Sequence, residues 1–201
     1  WIRSTINWMK DGNETSFAEM ARAMKKYADS QERQTQESGK DILAWMALQI
    51  GDHERALENA LQVEFLGFWM RSVETALTAA LLIGDRKGFA RAVEYAETWQ
   101  VPGYKQDAQQ LLVEAGWAVL DGRTEDAVAA FTTLIKLYQD RFAVDRYQEA
   151  RLLFATVIGP DVPEAAIAAE IAHAEITDAG AYHLLEVWKD AIPQKAAEAA
   201  S

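Results

Sequence analysis

From Tyr104 to Leu120, apolar residues recur at helical spacing, at Leu111, Leu112, Ala115, Ala118 and Val119. Asp121-Gly122-Arg123 ends that run, because glycine takes a left-handed conformation without steric cost. Thr124 then reads as the N-cap of a second helix, with Asp126 adding negative charge to its first turn. Ala127, Val128, Phe131, Leu134 and Leu137 keep the period on one face. The connection is too short for anything but an antiparallel pair.

The same scheme repeats along the chain. Asp41–Gln49 with Glu54–Val63, Trp69–Leu82 with Arg86–Trp99, and Val144–Val157 with Pro163–Ile176 read as further hairpins. Their joints carry related phrases: Ala47 to Gly51, Ala80 to Gly84, Ala118 to Gly122 and Ala155 to Gly159, each with Ala four residues before Gly. The glycines stand 33, 38 and 37 residues apart (51 to 84, 84 to 122, 122 to 159). Self-similarity at that period predicts stacked helical hairpins. Val101-Pro102-Gly103 breaks the pattern between two hairpins. Asp11-Gly12-Asn13-Glu14 resembles a further joint, with Phe17 five residues after its Gly. Trp1–Lys10 then reads as the second half of a hairpin cut short, with exposed apolar surface. After Gly180, a helix bearing Leu184, Leu185 and Trp188 caps the open end, and the tail from Lys195 frays. No strand signal is present. The expected architecture is one all-α domain over residues 1–190, with joints near 12, 51, 84, 122 and 159 and a partly ordered tail over 191–201.

Small residues have a packing role in this reading. Ala47, Ala80, Ala118 and Ala155 hold one equivalent site on the first helix, and Ala56 and Ala127 one on the second. Alanine lets two helix backbones approach closely. Phe89 and Glu164 stand at the second site in the other two repeats.

Gly122, Ala127 and Phe131 match the turn and second helix of a tetratricopeptide repeat, with Ala five residues and an aromatic nine residues after Gly. The array therefore resembles divergent tetratricopeptide repeats. That resemblance implies a right-handed α-α superhelix of about five hairpins with a C-terminal capping helix. A longer stretch, roughly Trp69 to Trp188, carries Ala79 to Asp85, Ala115 to Ala127, Leu152 to Glu164 and Ala172 to Leu185. It resembles the C-terminal helical region of large bacterial signalling proteins, in which a cyclase-like or DNA-binding module precedes a STAND-like AAA-type ATPase and then a repeat array. The resemblance implies a cytoplasmic sensing or scaffolding array rather than a catalyst.

Charge and composition narrow the partners. Acids outnumber bases by 31 to 20, for a net charge of −11. This argues against direct nucleic-acid contact and against anionic membranes. The absence of cysteine removes disulfides, zinc–thiolate sites and thiol nucleophiles. The chain begins at Trp1 rather than Met, which points to a piece of something longer. A bared N-terminal repeat could also drive pairing of two copies.

Candidate chemistry is sparse. Glu170-Ile-Ala-His173 is a single Glu-x-x-His where a di-iron bundle needs two. His53 and His183 read as packing or surface residues, and Gly84 to Gly88 lacks the Gly-Lys-Ser/Thr ending of a P-loop. No metal or cofactor is expected. The Phe65–Trp69 cluster reads as core between repeats, or as an exposed ligand-contacting loop.

The concave groove carries the more specific pattern. In tetratricopeptide register, Arg71 and Glu74 fall on the same positions as Arg146 and Glu149. Each Arg-x-x-Glu reads either as a solvated intrahelical ion pair or as part of a charge ladder that holds a peptide or small ligand. Trp45, Thr78 and Gln109 complete the candidate groove set. The functional expectation is a non-catalytic interaction or sensor module for a peptide, a partner protein, an effector or another domain of the same longer chain. A purely structural spacer is the alternative, and an enzyme in a helical bundle ranks last.

Overall fold

The computed structural model describes residues 14–64, 71–99, 104–141 and 144–179. Its described residues form helices and connecting turns, with no strand. In chain order the helices are α1 (Glu14–Ala28), α2 (Arg33–Gln49), α3 (His53–Leu61), α4 (Ser72–Ile83), α5 (Arg86–Glu97), α6 (Tyr104–Leu120), α7 (Thr124–Asp140), α8 (Val144–Ile158) and α9 (Pro163–Ala179). The expected joint at Gly12, the Phe65–Trp69 cluster, the Val101–Gly103 breaker, and the cap helix and tail lie outside the described residues.

Each hairpin turns on glycine. Gly51, Gly84, Gly122 and Gly159 have φ of 79°, 73°, 70° and 91°, the left-handed region that L side chains rarely adopt. A β-carbon at Gly84, Gly122 or Gly159 would meet open space, so the constraint is torsional rather than steric. The alanine four residues earlier supplies the capping carbonyl. Asp52 N–H donates to the Ala47 carbonyl (3.0 Å) and Gly51 N–H to Leu48 (3.2 Å), a pattern repeated by Arg123 to Ala118 (2.8 Å) and Gly122 to Val119 (3.1 Å). These are Schellman motifs. Gly84 and Gly159 donate instead to the carbonyls of Ala80 and Ala155, at 3.2 and 3.0 Å. All four alanine side chains are buried.

The helix after each turn begins two residues past Gly in three hairpins and four residues past it in the last. That longer turn moves the small-residue site by one position. Ala165, not Glu164, is the buried counterpart of Ala56 and Ala127, and Glu164 is exposed. Asp52 and Asp85 cap α3 and α5 through their carboxylates, with Gly88 N–H to Asp85 at 2.9 Å. Thr124 is not the cap expected for α7. Arg123 occupies that place without a side-chain cap bond, and its guanidinium pairs with Asp126 and Asp121.

Phe89 takes the second-helix small-residue site because its neighbour has given up a side chain. The ring lies over Gly116 of α6, where a β-carbon would overlap it, and meets Trp117 edge-on at 5.0 Å. Phe131 is fully buried and stacks on Phe154 at 5.1 Å, joining α7 to α8.

Consecutive helices pack on each other from α1 to α9. Alternate helices also touch, α2 on α4 and α4 on α6, which aligns the first helices of successive hairpins. Helix α4 is the hub and packs on α2, α3, α5, α6 and α8. Its sequence is apolar nearly all round, as a helix enclosed by neighbours requires. Among the described residues, two prominent contacts join hairpins that are not neighbours. One is α4 on α8. The other is a buried cluster of Met20 and Met24 from α1, Met46 from α2, Leu152 from α8 and Ala172 from α9. The last hairpin thus covers Met20 and Met24 of α1, while the exposed apolar surface expected over Trp1–Lys10 lies outside the described residues.

Gly116→Ala is expected to cost about 1–3 kcal/mol through overpacking against Phe89, read by urea denaturation. Phe89→Leu in the same chain should recover part of that loss. Equal losses in both backgrounds would show that the ring contact is not the cause.

Candidate functional site

Charged residues at the centre of the molecule come from α2, α4, α6 and α8. Arg71 immediately precedes α4 and contributes no side-chain cap to it. Asp41 of α2 does that work from outside, accepting the Arg71 N–H at 2.8 Å and the Ser72 hydroxyl. Its partner one turn earlier, Glu37, accepts the Glu64 N–H and the Lys40 ammonium, the latter at 2.7 Å. Tyr95 donates to the Val63 carbonyl at 3.0 Å. Two buried carboxylates on one face of α2 thus hold the chain on either side of residues 65–70. Burial pushes the Asp41 carboxyl above its ordinary range, against the lowering effect of Ser72 and Arg71.

With its helix capped from elsewhere, Arg71 reaches across to α8 and pairs with Glu149, while Arg146 pairs with both carboxylate oxygens of Glu74. Neither Arg-x-x-Glu closes on itself, as the intrahelical reading had it. The two motifs exchange partners over 78 and 72 residues of sequence. The exchange runs in reverse order along the two helices, first Arg to second Glu and first Glu to second Arg, which suits i, i+3 spacing on both. The four side chains keep only 12–18% of their surface exposed.

This quartet lines a cavity of about 30 Å³ together with Trp45, Thr75, Thr78, Leu112, Tyr138 and Leu153. That is room for about two waters. The Arg71 guanidinium lies 6.0 Å from the Trp45 ring centre. The Tyr138 hydroxyl is pushed well above its usual range, chiefly by burial. Lys105 of α6 is buried beside the quartet. Burial and then the nearby Arg146 push its ammonium below its ordinary value, and Glu74 opposes them.

Six of the seven residues expected in the groove therefore come together: Trp45, Arg71, Glu74, Thr78, Arg146 and Glu149. Gln109 does not. Helix α6 turns the stripe Lys105, Ala108, Leu112 and Ala115 inward. Gln109 stands about 100° off that stripe and lines an outer groove with Val93, Trp99 and Val113. Sequence reasoning missed Asp41, Lys105 and Tyr138. Asp41 was within reach: counted back from the turn glycines, it holds the register of Glu74 and Glu149, ten residues before Gly51. Lys105 follows no such register, since α6 is longer than α4 and begins earlier relative to its glycine.

His53 opens α3, and burial lowers its imidazole below its ordinary value. Glu170 is exposed, and the side chains of His173 and His183 lie outside the description. Among the described residues no group of three or more His, Asp or Glu is placed to hold a metal ion, and no helix is long and apolar enough to cross a membrane. Chemically, the site offers two guanidiniums and two carboxylates, groups that form charge-assisted hydrogen bonds and here pair with one another. Comparisons with protein-family models, curated proteins and solved structures return no significant match.

Asp41 yields a test with a definite sign. A carboxyl whose folded value is raised disfavours its charged form, so its contribution to stability is present at low pH and lost as pH rises through the raised value. Asp41→Asn keeps an acceptor for Arg71 and Ser72 and cannot ionise. Urea denaturation at pH 7 should find it no less stable than the parent, whereas Asp41→Ala should cost about 1–3 kcal/mol by leaving donors unmet. A large loss for Asn would show that the charge itself stabilises the site.

Proposed function

We propose that this chain is a non-catalytic interaction or sensor module: a divergent, tetratricopeptide-like α-α superhelix, right-handed, of about five hairpins, working in the cytoplasm as part of a larger bacterial signalling or regulatory protein. Its partner is a peptide, a protein or another domain of that longer chain. The ligand enters the concave side, where the Arg71, Glu74, Arg146 and Glu149 quartet recognises charge and Trp45, Thr78 and Tyr138 supply an aromatic and hydroxyl wall.

The carrying observation is the exchanged pairing of four mostly buried charges on two helices that are not sequence neighbours. Ion pairs are a poor way to hold helices together when apolar residues of similar volume do as well or better. Four charges in the interior of the groove therefore favour a use in recognition. The turn glycines and side-by-side first helices support the superhelical reading. A second reading, the structural spacer, is favoured by the cavity's room for about two waters: on that reading the quartet only sets the spacing of the hairpins.

Peptides selected from a random display library on the intact chain separate the two. Under the binding reading, the Arg71→Ala/Arg146→Ala variant loses at least about tenfold in affinity by calorimetry, about 1.4 kcal/mol, with its helical circular dichroism unchanged. Peptides that bind parent and variant alike would place recognition elsewhere, and a library that yields no binder favours the spacer.

A further inference from the structure

An array of stacked hairpins ordinarily touches only from neighbour to neighbour. Here two contacts break that rule, and both join the early part of the chain to the late part. One is charged: Arg71 to Glu149 and Glu74 to Arg146, between α4 and α8. The other is apolar: Met20, Met24 and Met46 against Leu152 and Ala172. They meet at Trp45, which packs on the methionine cluster and lines the charged cavity.

Both contacts are of a kind that can part and re-form. The methionine cluster is separate from the principal core, which runs from Ala44 to Ala168 through every helix from α2 to α9. Methionine is unbranched and polarisable, so its surface adapts to more than one packing. The quartet keeps 12–18% of its side-chain surface in solvent, so closed pairs are screened less than surface pairs while charges separated by opening become hydrated and fully screened. Parting the seam leaves the consecutive contacts, α1 on α2 through α8 on α9, and the capped glycine turns in place. The hairpins need not unfold for the array to open.

We propose that this seam is a reversible latch: the last hairpin separates as a unit from α1, α2 and α4, and the Arg71, Glu149, Arg146 and Glu74 quartet sets the balance between closed and open forms. Opening uncovers the four charges that closure matches to each other, so the closed form is self-inhibited toward any ligand that needs them. The latch stands on the seam alone and holds even if the groove binds nothing.

Because the chain has no cysteine, two can be introduced for spin labels without removing others. Ala18 on α1 and Glu170 on α9 are exposed and lie two residues from Met20 and Ala172 of the seam. Pulsed electron–electron distance measurement on the Ala18→Cys/Glu170→Cys chain should give one short distance at low salt. Adding Arg71→Ala and Arg146→Ala should raise a second, longer population, shifting the closed-to-open ratio by on the order of tenfold. Exchanging the charges, with Arg71→Glu, Glu149→Arg, Glu74→Arg and Arg146→Glu together, should restore the short distance. An unchanged distribution in the alanine variant overturns the latch, as does failure of the exchanged quartet to restore closure while its helical circular dichroism is intact. If the alanine variant loses its helical signal, salt decides on the unaltered quartet. Raising sodium chloride from about 0.05 to about 1 M shortens the screening length to roughly 3 Å and should lengthen the distance. Insensitivity to salt would overturn the proposal.

Discussion

A glycine in the left-handed region, with the carbonyl of the alanine four residues before it accepting a capping hydrogen bond, is the constraint from which the rest of this structure follows. Gly51, Gly84, Gly122 and Gly159 each satisfy it, at φ between 70° and 91°. The cap fixes where one helix ends, and the short turn fixes where the next begins. Because helices have 3.6 residues per turn, the distance from the glycine then determines which face each side chain takes. Ten residues before the glycine stand Asp41, Glu74, Leu112 and Glu149. Six before stand Trp45, Thr78, Gly116 and Leu153. Most of these reach the central cavity. Register, not proximity in sequence, assembles the site.

That constraint also explains which parts were legible beforehand. Helix existence and hairpin pairing are local properties, set by apolar period, glycine and caps. The α6 bounds follow from the run between Val101-Pro102-Gly103 and Gly122, and the structure places them at Tyr104 and Leu120. Counting on the glycines gives all seven residues expected in the groove, and six of them line the central cavity while Gln109 does not. The misreadings have local causes too. The turn after Gly159 is longer than the others, so Ala165 replaces Glu164. Threonine is a good cap by composition, yet α7 starts one residue earlier than a Thr124 cap requires. Long-range features left no such trace. An Arg-x-x-Glu looks the same whether it pairs within its helix or across to another, and only the contact of α4 with α8 decides. Phe89 and Gly116 are 27 residues apart and become intelligible only as a pair.

Charge placement in the interior follows a consistent logic. Each buried acid of α2 substitutes for something the chain lacks locally. Asp41 caps a helix whose preceding residue, Arg71, provides no cap, and Glu37 takes up the Glu64 N–H and the Lys40 ammonium. Arginine has no acceptor with which to cap a helix N-terminus, and the Arg71 guanidinium pairs with Glu149 of α8 instead. The cap from α2 and the pair with α8 are thus two parts of one arrangement that ties three hairpins together at α4. Burial opposes it, as the raised Asp41 and lowered Lys105 both register. A purely structural junction would tend to replace such groups with apolar ones.

The packing of α8 on α4 connects this junction to the ends of the chain. Side-by-side hairpins that each rotate slightly relative to the last bring distant members toward one another, and the rotation per hairpin depends on side-chain volume at the contacts. The Phe89 ring fills the space over Gly116, where a β-carbon would overlap it, and the alanines at the other turn sites are buried. Where α8 packs on α4 the four charges meet, and Leu152 of α8 and Ala172 of α9 lie against the methionines of α1 and α2. The central pairs and the terminal cluster are consequently not independent features. Both join the last hairpin to earlier helices, and both include Trp45, which packs on the methionines and lines the charged cavity.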